Sequence, residues 1–129
     1  MNASIKAFLS ERAVAVELMA RGFIVYEPII DIYGCDLLIN KNSNFLKIQI
    51  KSSYKTDGKY TFNCHYGKYA NKSYTEDMVD FFILYIVQHE CFYIIPSNII
   101  LSTSGHIHIS LHEMNKYQIY KEAWNLLEE

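Results

Sequence analysis

Three polar residues stand where apolar strands are expected: Asp36 at the start of Asp36-Leu37-Leu38-Ile39, and Gln49 and Lys51 within Phe45-Leu46-Lys47-Ile48-Gln49-Ile50-Lys51. Side chains alternate along a strand, so Gln49 and Lys51 share one face. A hairpin through Lys41-Asn42-Ser43-Asn44, strong turn chemistry, brings Asp36 to the same neighbourhood. A carboxylate, an amide oxygen and an ammonium converging there can hold a divalent cation and orient a water, which is what hydrolysing a phosphodiester requires. The same residues also suit a turn and the solvent face of an alternating strand, so spacing alone leaves both readings open.

The elements that must position them are legible as hydrophobic patterns. From about Ile5 to Arg21 the spacing predicts an amphipathic helix burying Ile5, Phe8, Leu9, Val16 and Met19 and stopping at Gly22. Phe23 to Tyr26 is β-branched and aromatic, a short strand ended by Pro28. Asp31 to Gly34 reads as a turn. In Phe45–Lys51, Leu46, Ile48 and Ile50 form one face and Lys47, Gln49 and Lys51 the other, the pattern of a half-buried strand. The pattern loosens from Ser52 to Thr75, with a strand expected over Tyr60–Cys64. Phe81 to Val87 is an apolar run suited to a strand buried on both faces, paired with Phe92–Ile95, and Ile107–Ile109 suits a short edge strand. Ser110-Leu111-His112-Glu113 has the form of a capping box opening a C-terminal helix that buries Tyr117, Tyr120, Trp124 and Leu127. The expected fold class is α/β: one mixed sheet with helices packed on it, in a single domain spanning 1–129.

Composition narrows the function classes. Half of the 129 residues are apolar, enough for a normal core and too many for a disordered chain. No apolar run is long enough to span a bilayer, and the N-terminus lacks the layout of a signal peptide, so no membrane partner is expected. Cys35, Cys64 and Cys91 are odd in number and widely spaced, which fits a reducing, cytoplasmic setting. Histidines 65, 89, 106, 108 and 112 have no metal-pair spacing, and surface or structural roles are expected for them. The formal charge is −2, yet seven of the twelve basic residues and one of the fourteen acids lie between Lys41 and Lys72. The middle third is thus a basic patch on an otherwise acidic protein.

The run Glu11-Arg12 … Leu18 … Gly22-Phe23-Ile24-Val25 … Pro28 … Gly34-Cys35-Asp36-Leu37-Leu38-Ile39 … Lys47-Ile48-Gln49-Ile50-Lys51-Ser52-Ser53 resembles the PD-(D/E)XK nuclease superfamily. Within it, the chain is similar to endonucleases carried by group I introns and, more distantly, to archaeal Holliday junction resolvases. Asp80-Phe81-Phe82-Ile83-Leu84-Tyr85 … Phe92-Tyr93-Ile94-Ile95-Pro96 is similar to the strand pair that follows the active site in the intron-borne group. The resemblance covers roughly residues 8 to 96 and implies a restriction-endonuclease-like fold, a mixed central β-sheet flanked by helices.

Carried over by position, the resemblance implies that Asp36 is the metal-binding aspartate, Gln49 the second acidic position, Lys51 the motif lysine and Glu11 the helix glutamate. The backbone carbonyl of Ile50 would complete the set around Mg²⁺, with Mn²⁺ as a substitute and no organic cofactor. Cys35 stands where the motif has proline. Gln49 stands where it has a carboxylate, which lowers the charge of the site and shifts the second carboxylate onto Glu11. The implied activity is site-specific cleavage of double-stranded DNA, in the manner of a homing endonuclease. Alternatives are a Holliday junction resolvase and an inactive DNA-binding module of the same fold. Lys55, Lys59, Lys68 and Lys72 would meet phosphates, and Asn63 and Asn71 base edges. Two cuts on two strands imply a homo-oligomer, a dimer or tetramer, with interfaces expected near Ile99–Ile109 and on the C-terminal helix.

Overall fold

The computed structural model describes residues 1–30, 34–66, 71–112 and 114–129. Asp31–Tyr33, Gly67–Ala70 and Glu113 lie outside the described residues, and with them most of the expected Asp31–Gly34 turn and the capping-box glutamate. Helix α1 (Ala3–Ala20) starts at Asn2, whose side chain accepts the Ile5 N–H at 2.9 Å. It ends at Gly22 (φ 93°), where the Gly22 N–H reaches Met19 O and the Phe23 N–H reaches Leu18 O. That paired ending, with Leu18 and Phe23 both buried, is a Schellman motif, and it bears out the stop expected at Gly22.

The central sheet contains β1 (Ile24–Tyr26), β2 (Leu37–Lys41), β3 (Asn44–Ser53), β7 (Phe81–Ile86) and β8 (Cys91–Pro96), in that spatial order. Only the β3–β7 pair is parallel; the other neighbours are antiparallel. The crossover between β3 and β7 carries β4 (Lys59–Asn63), β5 (His65–Tyr66) and β6 (Lys72–Ser73). Beyond β8 come the short α2 (Ser97–Leu101) and β9 (His106–Ser110), which pairs with β4 as a two-stranded ribbon; β5 and β6 form another. No helix among the described residues is long and apolar enough to cross a membrane.

The strand expectations for β2, β3, β7 and β8 are realised, and alternation gives the sheet two cores. Ile48, Ile50, Ile83, Tyr85, Phe92 and Ile94 pack against α1 and Trp124 on one face. Phe82, Leu84, Ile86, Tyr93 and Ile95 pack on the other, against Tyr60 and Phe62 of β4 and Ile107 and Ile109 of β9. β7 is therefore buried on both faces, as its unbroken apolar run requires.

Three expectations are corrected. Helix α1 buries Ser10, Val14, Ala15 and Leu18, while Ile5, Phe8, Leu9, Val16 and Met19 are 44–60% exposed. The helix is apolar on both sides, and Val14, Ala15 and Leu18 take the sheet side. The C-terminal segment forms 3-10 turns at Gln118–Tyr120 and Trp124–Glu128, not an α-helix. Glu122 adopts φ 51° between them. Its backbone N–H donates to Phe92 O and its carboxylate accepts the Phe92 N–H, both at 2.7 Å. Pairing with the β8 edge thus takes the place of helical bonds, although Tyr117, Trp124 and Leu127 are buried as expected. Those same side chains, with Ile100, Ile107 and Ile109, fill the protein's own cores, so the apolar residues that suggested interfaces there are not themselves exposed to a partner.

Candidate active site

β2 covers β3 only as far as the Leu37–Ile48 pair, whereas β7 stays beside β3 through Ser53. From Gln49 onward one edge of β3 therefore lies open. Asp36 stands at that opening, one residue before β2 and opposite Gln49 if the register is carried one step further. Its N–H donates to Ile48 O at 2.8 Å, and its carboxylate Oδ2 accepts the Ile50 N–H at 2.8 Å. The N–H and C=O of a strand residue point to the same edge, so the Ile50 carbonyl opens onto the same gap.

The gap is a cleft of about 260 Å³ lined by Ala7, Ser10 and Glu11 of α1 and by Asp36, Gln49, Ile50, Lys51 and Ser52. Glu11, Asp36, Gln49, Ile50 and Lys51, separated by up to forty positions in the chain, are thus brought together. Gln49 is buried, and its side chain approaches Ile50 O at 3.5 Å, the outer limit of a hydrogen bond. Lys51 is half-buried: Nζ donates to the His65 carbonyl at 3.1 Å and lies 5.8 Å from the centre of the Tyr74 ring. Beside it, burial pushes the Cys64 thiol up to about 12, against the opposing pull of the Lys51 charge. Gly34 (φ 75°) packs against Tyr74 and Met78 two residues before Asp36; a Cβ there would meet both at 3.0 Å.

Among the described residues, no three His, Cys, Asp or Glu side chains group to hold a metal. The cleft instead offers two carboxylates, an amide oxygen and a main-chain carbonyl. Hard oxygen donors of this kind suit Mg²⁺, which keeps several waters and needs few protein ligands.

A second cleft, of about 510 Å³, adjoins the first through shared Ala7 and Ser52 and is lined also by Ala3, Lys6, Ser53, Tyr54, Lys55 and Thr61. Of the expected DNA contacts, Lys55 lines this cleft, and Lys59 and Asn63 lie on the exposed face of β4. Asn71 and Lys72 are exposed near and on β6, and Lys68 lies outside the described residues. Sequence reasoning missed Lys6 and Ser10, which line these clefts from one side of α1. The signal was the four-residue spacing of Lys6 and Ser10, which puts them on one face of the helix.

A family profile described as PD-(D/E)XK endonuclease matches residues 1–127. The chain belongs to the PD-(D/E)XK endonuclease family. Its fold is similar to that of the bacterial homing endonuclease I-Ssp6803I, with a TM-score of 0.78 and 27% identity, covering 98% of this chain and 91% of that one. It is similar in fold alone to Hjc, a Holliday junction resolvase from the archaeal hyperthermophile Archaeoglobus fulgidus, with a TM-score of 0.53 and 14% identity, covering 83% and 85% of the two chains. A search of curated proteins finds no match. The mixed five-stranded sheet flanked by helices is the restriction-endonuclease-like fold expected of a PD-(D/E)XK chain.

Proposed function

We propose that this PD-(D/E)XK chain is a Mg²⁺-dependent, site-specific endonuclease of the homing type that hydrolyses phosphodiester bonds of double-stranded DNA as one nuclease domain. The observation that carries the reading is the convergence of Glu11, Asp36, Gln49 and Lys51 on one cleft at the open edge of β3. Likeness to a homing endonuclease over nearly the whole chain favours this type over a junction resolvase, for which only the fold is shared.

Asp36 and Glu11, the Gln49 amide oxygen and the Ile50 carbonyl would hold the ion. When bound, the ion supplies charge that polarises a scissile phosphate and acidifies a water. Asp36 is held in place by the Ile50 N–H, which fixes its carboxylate in the cleft where the ion would sit. Lys51 lines the cleft, and its ammonium would neutralise developing charge on phosphate oxygens or hold a water by hydrogen bonding. Lys55 and Lys6, along the adjoining cleft, supply positive charge for the flanking phosphates.

Cleavage of both strands requires two such clefts, and hence a homo-oligomer. The exposed apolar side of α1 is a surface suited to a second copy. The decisive experiment incubates the protein with Mg²⁺ and supercoiled plasmid, linear duplex libraries and four-way junctions. Asp36→Asn and Lys51→Ala should abolish cleavage and retain DNA binding. If both cut at near wild-type rate, the reading is wrong; cleavage confined to junctions would mark a resolvase.

A further inference from the structure

The β4–β9 ribbon carries an ordered face that the active-site reading does not use. Lys59, Thr61 and Asn63 point outward on β4, and His106, His108 and Ser110 share that side on β9. The register pairs them directly: Lys59 with Ser110, Thr61 with His108, Asn63 with His106. The intervening Tyr60, Phe62, Ile107 and Ile109 are buried in the second core and anchor the ribbon. We infer that this outward face is the base-reading surface of the protein, laid into the DNA major groove with Thr61, Asn63, His106 and His108 toward base edges. The inference rests on the proposed nuclease function.

Charge and chemistry argue for this occupant. The face holds hydrogen-bonding groups throughout, with no acid and no apolar residue, in a chain whose acids outnumber its lysines and arginines by fourteen to twelve. An ordinary solvated face of such a chain would carry both signs of charge. Dimensions agree as well. Two strands of five residues make a ribbon about 17 Å long, the rise of about five base pairs, and the major groove admits a two-stranded ribbon.

The face is also held in advance of any contact. Thr61 Oγ1 and His108 Nδ1 lie 3.2 Å apart across the strands. Asn63 Oδ1 accepts the His65 backbone N–H at 3.2 Å and sits 2.7 Å from His65 Nδ1, which must then carry a proton. The His65 ring packs over Gly105 (φ 86°), where a Cβ would collide with it, and lies 5.3 Å from the His106 ring. Side chains fixed in this way lose little freedom on binding.

Position completes the argument. Thr61 lines the cleft that holds Lys6 and Lys55 and joins the active-site cleft at Ala7 and Ser52. Lys51 donates to the carbonyl of His65, two residues beyond the end of β4. A duplex with one phosphate at Asp36 and Lys51 would therefore run directly onto the ribbon.

The test is selection of bound duplexes from a randomised library in EDTA, using the full chain, the Thr61→Ala/His108→Ala variant and Lys59→Ala. Wild type should recover a preferred sequence, and 7-deazapurines, which remove a major-groove acceptor, should weaken its binding. Thr61→Ala/His108→Ala should relax preference at one or two base pairs by about tenfold while binding random duplex within about threefold of wild type. Lys59→Ala should weaken all sequences alike and lower the salt slope by about one. Unchanged preference in the double variant, no preference in wild type, or sensitivity only to loss of the minor-groove amino group of guanine would each overturn the inference. In those cases, plasmid nicking by wild type and its loss in Asp36→Asn would leave the nuclease reading standing; absence of nicking would remove both.

Discussion

The Asp36 carboxylate accepts the backbone N–H of Ile50 at 2.8 Å, where the pairing with the adjoining strand has ended. One side chain thus closes a sheet edge and faces the candidate metal site. Asp36→Ala should therefore cost stability as well as activity, about 1–3 kcal/mol for a buried N–H left without its acceptor. Asp36→Asn keeps an oxygen for that bond and should lie within about 1 kcal/mol of wild type while being inactive. Urea denaturation separates the two; equal stability of both variants and wild type would mean that the bond carries no weight.

Gln49 stands where the resemblance implies a carboxylate, and its burial decides what placing one there would do. Gln49→Glu places a carboxylate in a buried position beside Asp36. Without a divalent ion, desolvation and like charge should lower stability by about 1–3 kcal/mol. Mg²⁺ should return most of that loss and bind more tightly than in wild type, because a ligand that binds only the folded state stabilises it. Thermal midpoints with EDTA and across a Mg²⁺ titration measure both effects. A midpoint in EDTA equal to that of wild type would show that the position is more open than its burial implies. DNA cleavage by this variant should be retained.

The convergence on one cleft was legible because the residues that line it are polar ones interrupting apolar strands, a contrast that alternation makes visible. Asp36, Gln49 and Lys51 were readable in this way, and Glu11 from its place on the helix that precedes these strands together with the resemblance. The faces of α1 were not. Helical periodicity identifies apolar stripes, and this helix has two, so choosing the bulkier stripe selected the side that the sheet leaves uncovered. The C-terminal segment failed for a related reason: Tyr117, Trp124 and Leu127 keep near-helical spacing, while Glu122 leaves the helix to pair with Phe92 across thirty residues. The role inferred for the ribbon was hidden because Thr61 and His108 meet only through long-range pairing.

The uncovered side of α1 makes an oligomer testable. Ile5, Phe8, Leu9, Val16 and Met19 form a band along the helix, with the Arg12–Glu27 ion pair alongside. A symmetric contact through this band would bury it against its own copy. Leu9→Glu/Val16→Glu should shift the protein toward monomer in light scattering while its far-ultraviolet circular dichroism stays unchanged, since both residues are exposed on the helix. An unchanged mass would place the contact elsewhere.

Stability should fall at high pH through groups buried in the second core. Burial pushes the Cys64 thiol from 9.0 to about 12 and the Tyr93 hydroxyl from 10.0 to about 12. For both, the folded protein favours the neutral form more strongly than the unfolded chain does. Their contribution is therefore complete below about pH 9 and is lost as pH rises toward 12, because the unfolded chain releases its protons first. Denaturation midpoints should decline over that window. Cys64→Ala removes one of the two groups; it should be less stable than wild type at pH 7 because a buried side chain is truncated, yet lose less further stability between pH 9 and 11. Parallel declines for the variant and wild type would remove Cys64 as a source of the alkaline loss.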